Sequence, residues 1–325
     1  MLSAPAVRVT KVGSRQARPV MVETVGPGVV GVRKAPQSAF WARAWALPSV
    51  LGMVERTPQY RIHTYTAAEP GLLVNSYLVE GADGVVLVDA NLLQSDVRAL
   101  AARVAALRKP LLGVFVTHAH PDHFNGLPVL AGDGVPVFAA AAVADTIAAV
   151  APAKRAQWQP VYGDEWPGTH RVPDHRLASG ESVELGGLTF TVHGAGAAES
   201  HADSYILLGS DAFIGDLAFN GTHPYTADGH TGAWLDALDA IAGPLAGLRL
   251  HPGHGAGGDV AMLGEQRRYL LMYRECVRRL ADGTAELTDE QRDELTAVMT
   301  RFLPGAPLEW MIGLGADAVA AELAG

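Results

Sequence analysis

The chain has 325 residues, 49% of them hydrophobic and 18% charged, and its 34 acidic against 25 basic side chains give a formal charge of −9. This is the balance of a folded protein of one large domain or two small ones, not of a disordered chain. A single cysteine, Cys276, excludes an internal disulfide framework and any Cys-rich zinc finger, and the acidic balance argues against nucleic acid as the main partner.

Residues 1–59 read as an N-terminal extension of uncertain fold, with β-favouring pieces at Val20–Val25 and Val29–Val32 between Gly and Pro. The first residues carry basic side chains but no continuous apolar run, so no secretory signal is expected. Arg43 and Pro48 interrupt the apolar stretch Ala35–Val54, which is too short and broken to cross a membrane. A soluble, cytoplasmic protein is expected.

From Tyr60 the signals sharpen. Leu72–Val79 and Val85–Asp89 are apolar runs around Gly81, Asp83 and Gly84, which predicts a hairpin. Ser95 offers an N-cap for a helix carrying Val97, Leu100, Val104 and Leu107 at helical spacing. Leu111–Thr117 reads as a buried strand, and strand–helix–strand order predicts layered α/β architecture. An alanine-rich helix is expected over Ala139–Val150. Residues 151–180 then look like an excursion with Trp158, Tyr162 and Trp166. Strands are expected at Leu188–Val192, Tyr205–Leu208 and Ala212–Ile214, and a helix at Trp234–Ile241. Three helices follow, near Val260–Leu280, Asp289–Leu303 and Ala306–Leu323. Residues 60–282 read as the main domain and 283–325 as a C-terminal helical segment packed on it.

The chemistry concentrates in Thr117-His118-Ala119-His120-Pro121-Asp122-His123-Phe124-Asn125-Gly126. Three imidazoles and a carboxylate fall within six residues, after a strand and before a helix. Borderline metals such as Zn²⁺ favour this donor set. His118 and His120 can converge on one ion where the strand ends, and Asp122 and His123 can turn toward a second. A surface loop that merely happens to be His-rich is a poor account of that spacing.

HxHxDH is the signature of the metallo-β-lactamase superfamily, and the resemblance runs over roughly residues 60–260. It includes Asp89 in LVDA, the motif at 118–123, His201 in ESHADS, Asp216 in FIGD and His254 in PGHG. It implies an αββα sandwich of two mixed β-sheets flanked by helices, with a dinuclear metal site at one edge. Carried over residue by residue, it implies that His118, His120 and His201 bind the first ion. Asp122, His123 and His254 would bind the second, and Asp216 would bridge both. The family usually shows Gly-His-Thr-Pro-Gly around the third ligand. Some relatives, such as alkyl sulfatases, place a glutamate there, so Glu199 is the alternative to His201. His251 is the local rival of His254. Two Zn²⁺ ions are the expected cofactors, with Fe or Mn as substitutes.

The resemblance implies a zinc-dependent hydrolase in which hydroxide on the metal attacks a lactone, thioester, ester or β-lactam. Asp122 and Asp216 are the expected catalytic carboxylates. The alternative is a mononuclear iron oxidoreductase like the persulfide dioxygenases of the same superfamily. Flavin-linked diiron oxidoreductases are disfavoured, because they usually carry a glutamate where His120 stands. No GxSxG occurs, so no serine nucleophile is expected. Asp89 is a candidate to hold a ligand imidazole. Tyr225 or His223 could reach the substrate, and Trp158, Tyr162 and Trp166 could wall its pocket. A small-molecule substrate is expected, with no nucleic-acid or membrane partner; a homo-oligomer is left open.

Overall fold

The computed structural model describes residues 8–10 and 59–325. The strand-like pieces at 20–25 and 29–32 and the apolar stretch at 35–54 lie outside the described residues. Among the described residues, no helix is long and apolar enough to cross a membrane.

Twelve strands and nine α-helices are described. They run β1 (Arg8–Thr10), β2 (Arg61–Thr66), β3 (Asn75–Glu80), β4 (Val85–Val88), α1 (Gln94–Ala106), β5 (Leu111–Val116), α2 (Pro121–Phe124) and α3 (Leu127–Leu130). Next come β6 (Val137–Ala140), α4 (Ala141–Tyr162), β7 (His175–Leu177), β8 (Glu181–Leu185), β9 (Leu188–Gly196), β10 (Asp203–Leu208) and β11 (Asp211–Gly215). The chain ends with α5 (Thr231–Ala242), β12 (Arg249–Pro252), α6 (Ala261–Ala281), α7 (Asp289–Phe302), α8 (Trp310–Leu314) and α9 (Ala316–Ala324).

The strands form two six-stranded mixed sheets, in the orders β2-β3-β4-β5-β6-β7 and β1-β8-β9-β10-β11-β12. In the first, β2 to β4 are antiparallel and β4 to β7 parallel. In the second, only the β11–β12 pair is parallel. The central strands are buried on both faces, so β4 (VVLV) and β5 (LLGVFV) read as continuous apolar runs rather than alternating ones.

The sheets pack face to face. Phe115 of β5 stacks on Phe190 of β9 at 5.1 Å and on Phe138 of β6 at 5.0 Å. Val97 and Leu100 of α1 and Val143, Ala144 and Ile147 of α4 join this same core. Beyond the second sheet, Ala212 and Ile214 of β11 pack on Trp234, Leu238 and Ile241 of α5 and on Met262 and Leu263 of α6. This is the αββα sandwich. Tyr273 and Val277 continue α6 into a third cluster with Leu295 and Met299 of α7, Ile312 and Val319.

Some local expectations change. Ser95 does not cap α1; it lies in the first turn, and its amide donates to Glu165 Oε2 at 2.9 Å. Ala139 and Ala140 belong to β6, and α4 runs on through Pro152 and Pro160 into the supposed excursion. Each proline forfeits an amide bond to the carbonyl four residues earlier. Here those carbonyls belong to exposed Ala148 and Ala156, which water can satisfy. The last expected helix is broken into α8 and α9, leaving 306–309 non-helical. Strands β1, β2, β6, β7, β8 and β12 are additional.

Candidate metal centre

The motif occupies the carboxyl end of β5. Thr117 leaves the strand, His118 and His120 follow, and Pro121 opens α2, which carries Asp122 and His123. Proline suits the first helical turn, whose amides lack intrahelical acceptors. Glu199 comes from the loop between β9 and β10, Asp216 follows β11 and His254 follows β12. Strand ends of both sheets therefore meet at one edge of the sandwich.

The donor atoms fall into overlapping groups: His118, His120 and Glu199; His118, His123 and Asp216; Asp122, His123 and His254. Within each group they lie within 4.8 Å of one another, and every residue is buried. Glu199 Oε2 is 2.8 Å from His120 Nδ1 and 3.5 Å from His118 Nε2. Asp216 faces both sides: Oδ2 is 3.9 Å from His118 Nε2 and 3.3 Å from His254 Nε2, while Oδ1 is 3.4 Å from His123 Nε2. Asp122 Oδ2 is 3.2 Å from His254 Nε2 and 3.5 Å from His123 Nε2.

The structure does not bring His201 into this cluster. Its side chain is half-exposed, and Nδ1 is 2.6 Å from His230 Nε2. Glu199, fully buried, takes the place expected for it. The cause is the turn before β10. Ala198 donates its amide to Ser200 O at 3.0 Å, and Ser200 its amide to Asp203 Oδ2 at 2.9 Å. The chain doubles back so that residue 199 points inward and 201 outward. His251 is also outside: it bonds Asp211 at 2.8 Å and stacks on Phe213. His223 is buried against Tyr269, 2.9 Å away.

Each inward imidazole has an acceptor behind it. His123 Nδ1 is 2.8 Å from Asp89 Oδ2, His254 Nδ1 is 2.8 Å from Leu72 O, and His120 Nε2 is 3.0 Å from Asp228 Oδ2. Thr117 Oγ1 donates to Asp89 Oδ2 at 2.8 Å and lies 3.1 Å from His118 Nδ1. A proton drawn to each outer nitrogen leaves the inner one with a free lone pair, as metal ligation requires. Asp89, itself in a left-handed conformation (φ 63°), thus organises two imidazoles and also accepts the Thr117 amide at 2.9 Å. Leu72 and Leu73 are left-handed too, at φ 66° and 57°. Two non-glycine residues in that region cost roughly 1–2 kcal/mol each, and the bend they make presents Leu72 O to His254. Gly253 is required for closeness, because a Cβ there would overlap Asp216 Oδ1.

Several inner atoms are buried without any hydrogen-bond partner: His118 Nε2, His123 Nε2, both Glu199 oxygens and Asp216 Oδ1. Such orphans are rare and costly in native interiors. The four residues crowd together yet aim lone pairs at common points rather than at each other, so the donor set fits a cation. The electrostatics agree. Burial pushes the Glu199 carboxyl up to about 8, with the Asp216 and Asp203 charges adding to it against His120. Burial also raises Asp203, to about 6. Burial opposes protonation of His254, but Asp216 and Asp122 outweigh it and carry its pKa up to about 10. Asp216 moves well below the usual carboxylate range: burial works against this, and the imidazoles of His254, His123 and His118 prevail.

An open cleft lies over the cluster. Trp158, Tyr162, Trp166 and Tyr225 line it, as the sequence suggested they could. Lys154, Trp310, Met311 and Leu314 line it as well, and sequence reasoning missed them. Trp310 lies more than 180 residues from the motif, and no local pattern announces it.

A family model described as the metallo-β-lactamase superfamily matches residues 70–254, more than half of the chain. An uncharacterized Bacillus subtilis protein, YobT, is 39% identical over 77 residues, spanning 23% of this chain and 33% of that protein, so the chain matches only about a third of its length. Among solved structures, a β-lactamase domain protein from Burkholderia ambifaria superposes with a TM-score of 0.62 at 17% identity, covering 86% of this chain and 90% of that one. A metallo-β-lactamase family protein from Thermus thermophilus gives 0.58 at 19% identity, covering 82% and 93%. A metallo-β-lactamase from Pontibacter korlensis gives 0.53 at 21% identity, covering 66% and 96%. The two-sheet fold, the buried donor cluster and the family match agree: the chain belongs to the metallo-β-lactamase superfamily.

Proposed function

We propose that this protein is a dinuclear metal-dependent hydrolase of an activated acyl compound: an ester, a thioester, a lactone or a β-lactam. The observation that carries the reading is the set of buried, unpartnered donor atoms converging from four strand ends. His118, His120 and Glu199 would hold one ion; Asp122, His123 and His254 the other; Asp216 would join them. The ions, zinc in the leading reading, supply Lewis-acid chemistry when bound, acidifying water and polarising the acyl carbonyl.

The chain's own residues do the rest. Asp122 lies at the cleft wall, where it can orient the attacking water and accept its proton. Asp216, held ionised by three imidazoles, contributes charge without taking up a proton. Tyr225 Oη and Lys154 Nζ stand at the cleft as donors to the substrate. In the overall reaction the water oxygen bonds the acyl carbon, the bond from that carbon to the leaving oxygen, sulfur or nitrogen breaks, and the leaving atom gains a proton.

A second reading has its own support. His118, His120 and Glu199 form a two-histidine, one-carboxylate set, the pattern of mononuclear iron oxygenases. Metal analysis of protein purified without chelators separates the two. About two zinc ions per chain, with ester or lactone hydrolysis lost on chelation and restored by zinc, supports the hydrolase. One iron per chain moves the assignment to oxygen chemistry. No metal retained and none taken up on titration would refute both.

A further inference from the structure

We infer that the cleft selects substrates whose acyl or leaving group is an uncharged apolar chain or ring, and that helix α8 of the C-terminal segment is the selecting wall. This rests on the hydrolase reading and narrows its substrate class.

Three observations carry it. One wall is a ladder of aromatics: Trp158 and Tyr162 are 6.2 Å apart between ring centres, and Tyr162 and Trp166 stack at 6.1 Å. To the same cleft α8 contributes Trp310, Met311 and Leu314. Trp310 is 50% exposed and Leu314 41% exposed. Large apolar side chains left open beside a cleft mark a surface that gains from being covered.

The second observation is charge. Among the described residues lining the cleft, Lys154 is the one lysine or arginine. Its Nζ already faces Asp228 Oδ1 at 3.7 Å and lies 5.6 Å from the centre of the Tyr225 ring. Among its side chains the cleft therefore keeps no uncompensated cation for a remote carboxylate, phosphate or sulfate.

The third is position. The family match ends at residue 254, and α8 begins at Trp310. The wall therefore lies beyond the segment that the family model matches, on an element outside the shared core, where specificity of a common fold is expected to reside.

The test uses the full metal-loaded chain with 4-nitrophenyl acetate, butyrate, hexanoate and octanoate. Burying one methylene is worth up to about fourfold in specificity, so kcat/KM should rise at least about tenfold from acetate to octanoate. Trp310→Ala and Leu314→Asp, both at half-exposed positions that should not disturb folding, should each lower the octanoate-to-acetate ratio by about fivefold or more. Binding is read separately by tryptophan fluorescence of chelator-treated protein titrated with octanamide and with its ω-carboxylate counterpart, suberic acid monoamide. Octanamide should bind at least about tenfold tighter. Tight octanamide binding without hydrolysis of any ester would sink the hydrolase reading and leave the apolar cleft standing. Hydrolysis independent of chain length, with both amides binding alike, would overturn the inference and leave the hydrolase reading intact. A ratio unchanged in both variants would remove α8 from the selecting wall.

Discussion

Replacing Glu199 with glutamine should have opposite effects on the metal-free and metal-loaded protein. In the metal-free chain, both carboxylate oxygens are buried without hydrogen-bond partners and the pKa is about 8, against 4.5 for an ordinary glutamate. The folded-state value is raised, so the stability this group contributes is complete below pH 4.5 and is lost as pH rises toward 8. At pH 7 folding must put a proton on a carboxyl that is ionised when unfolded, at a cost of about 3 kcal/mol at most. Glutamine needs no proton. With a chelator present, Glu199→Gln should therefore be as stable as the parent or more so, by up to about 3 kcal/mol. With zinc at about a hundred times its dissociation constant, the parent gains about 2.7 kcal/mol per occupied position, and the variant should forfeit one such increment along with one ion. His201→Ala, at a half-exposed side chain, should change neither stability by more than about 0.5 kcal/mol nor the metal content. Denaturant titrations with chelator and with zinc, beside metal analysis, read all four quantities. The reasoning fails if His201→Ala loses an ion while Glu199→Gln keeps both, or if Glu199→Gln is strongly destabilised in chelator.

Asp89→Ala should weaken metal binding about 10–100-fold, because it strips the acceptor from His123 and frees the Thr117 hydroxyl and amide; competition with a chromophoric chelator measures it. Metal loading should release protons at pH 7, since Glu199 and His254, with metal-free pKa values of about 8 and about 10, must both lose one to bind. Apparent affinity should thus climb steeply with pH up to about 8, and calorimetry in buffers of different ionisation heat would expose a flat profile. Phe115→Ala should cost about 3–5 kcal/mol, as its ring joins Phe138 and Phe190 across the inter-sheet core; urea unfolding checks it. Thr288→Ala should cost about 1 kcal/mol by removing the capping box it forms with Gln291 at the start of α7.

The motif at 118–123 was legible because its donors are neighbours in sequence, and strand and helix order around it was legible from apolar runs. Asp216 and His254 were legible because each follows a strand or glycine signal. The choice between Glu199 and His201 was not. They are two residues apart and both can bind metal, and only the turn pinned by Asp203 decides which one points inward. Helix α4 outran its expected end because solvent at Ala148 and Ala156 relieves the two prolines, and strand β12 is short and ends in Pro252. The helix-start contact of α1 comes from Glu165, which a local capping rule cannot find. Trp310 reaches the cleft only through the packing of α6, α7 and α9.

The cluster straddles a seam. His118, His120, Asp122 and His123 hang from the first sheet, while Glu199, Asp216 and His254 hang from the second. Along that edge the halves also meet through isolated bridges, His118 with Asp203 and Val74 with His254, and through single hydrogen bonds such as Asn75 N to Gly253 O and Tyr77 Oη to Pro252 O. An ion held there would act as a rivet between two sheets whose inward donor atoms are otherwise buried without partners. Metal-starved chains should then open first at this rim, with amides of the 117–123 and 197–203 loops exchanging and being cut by protease before the distant ends of the same strands. The quantity of active protein in a cell would follow its metal supply through survival of the chain as well as through catalysis.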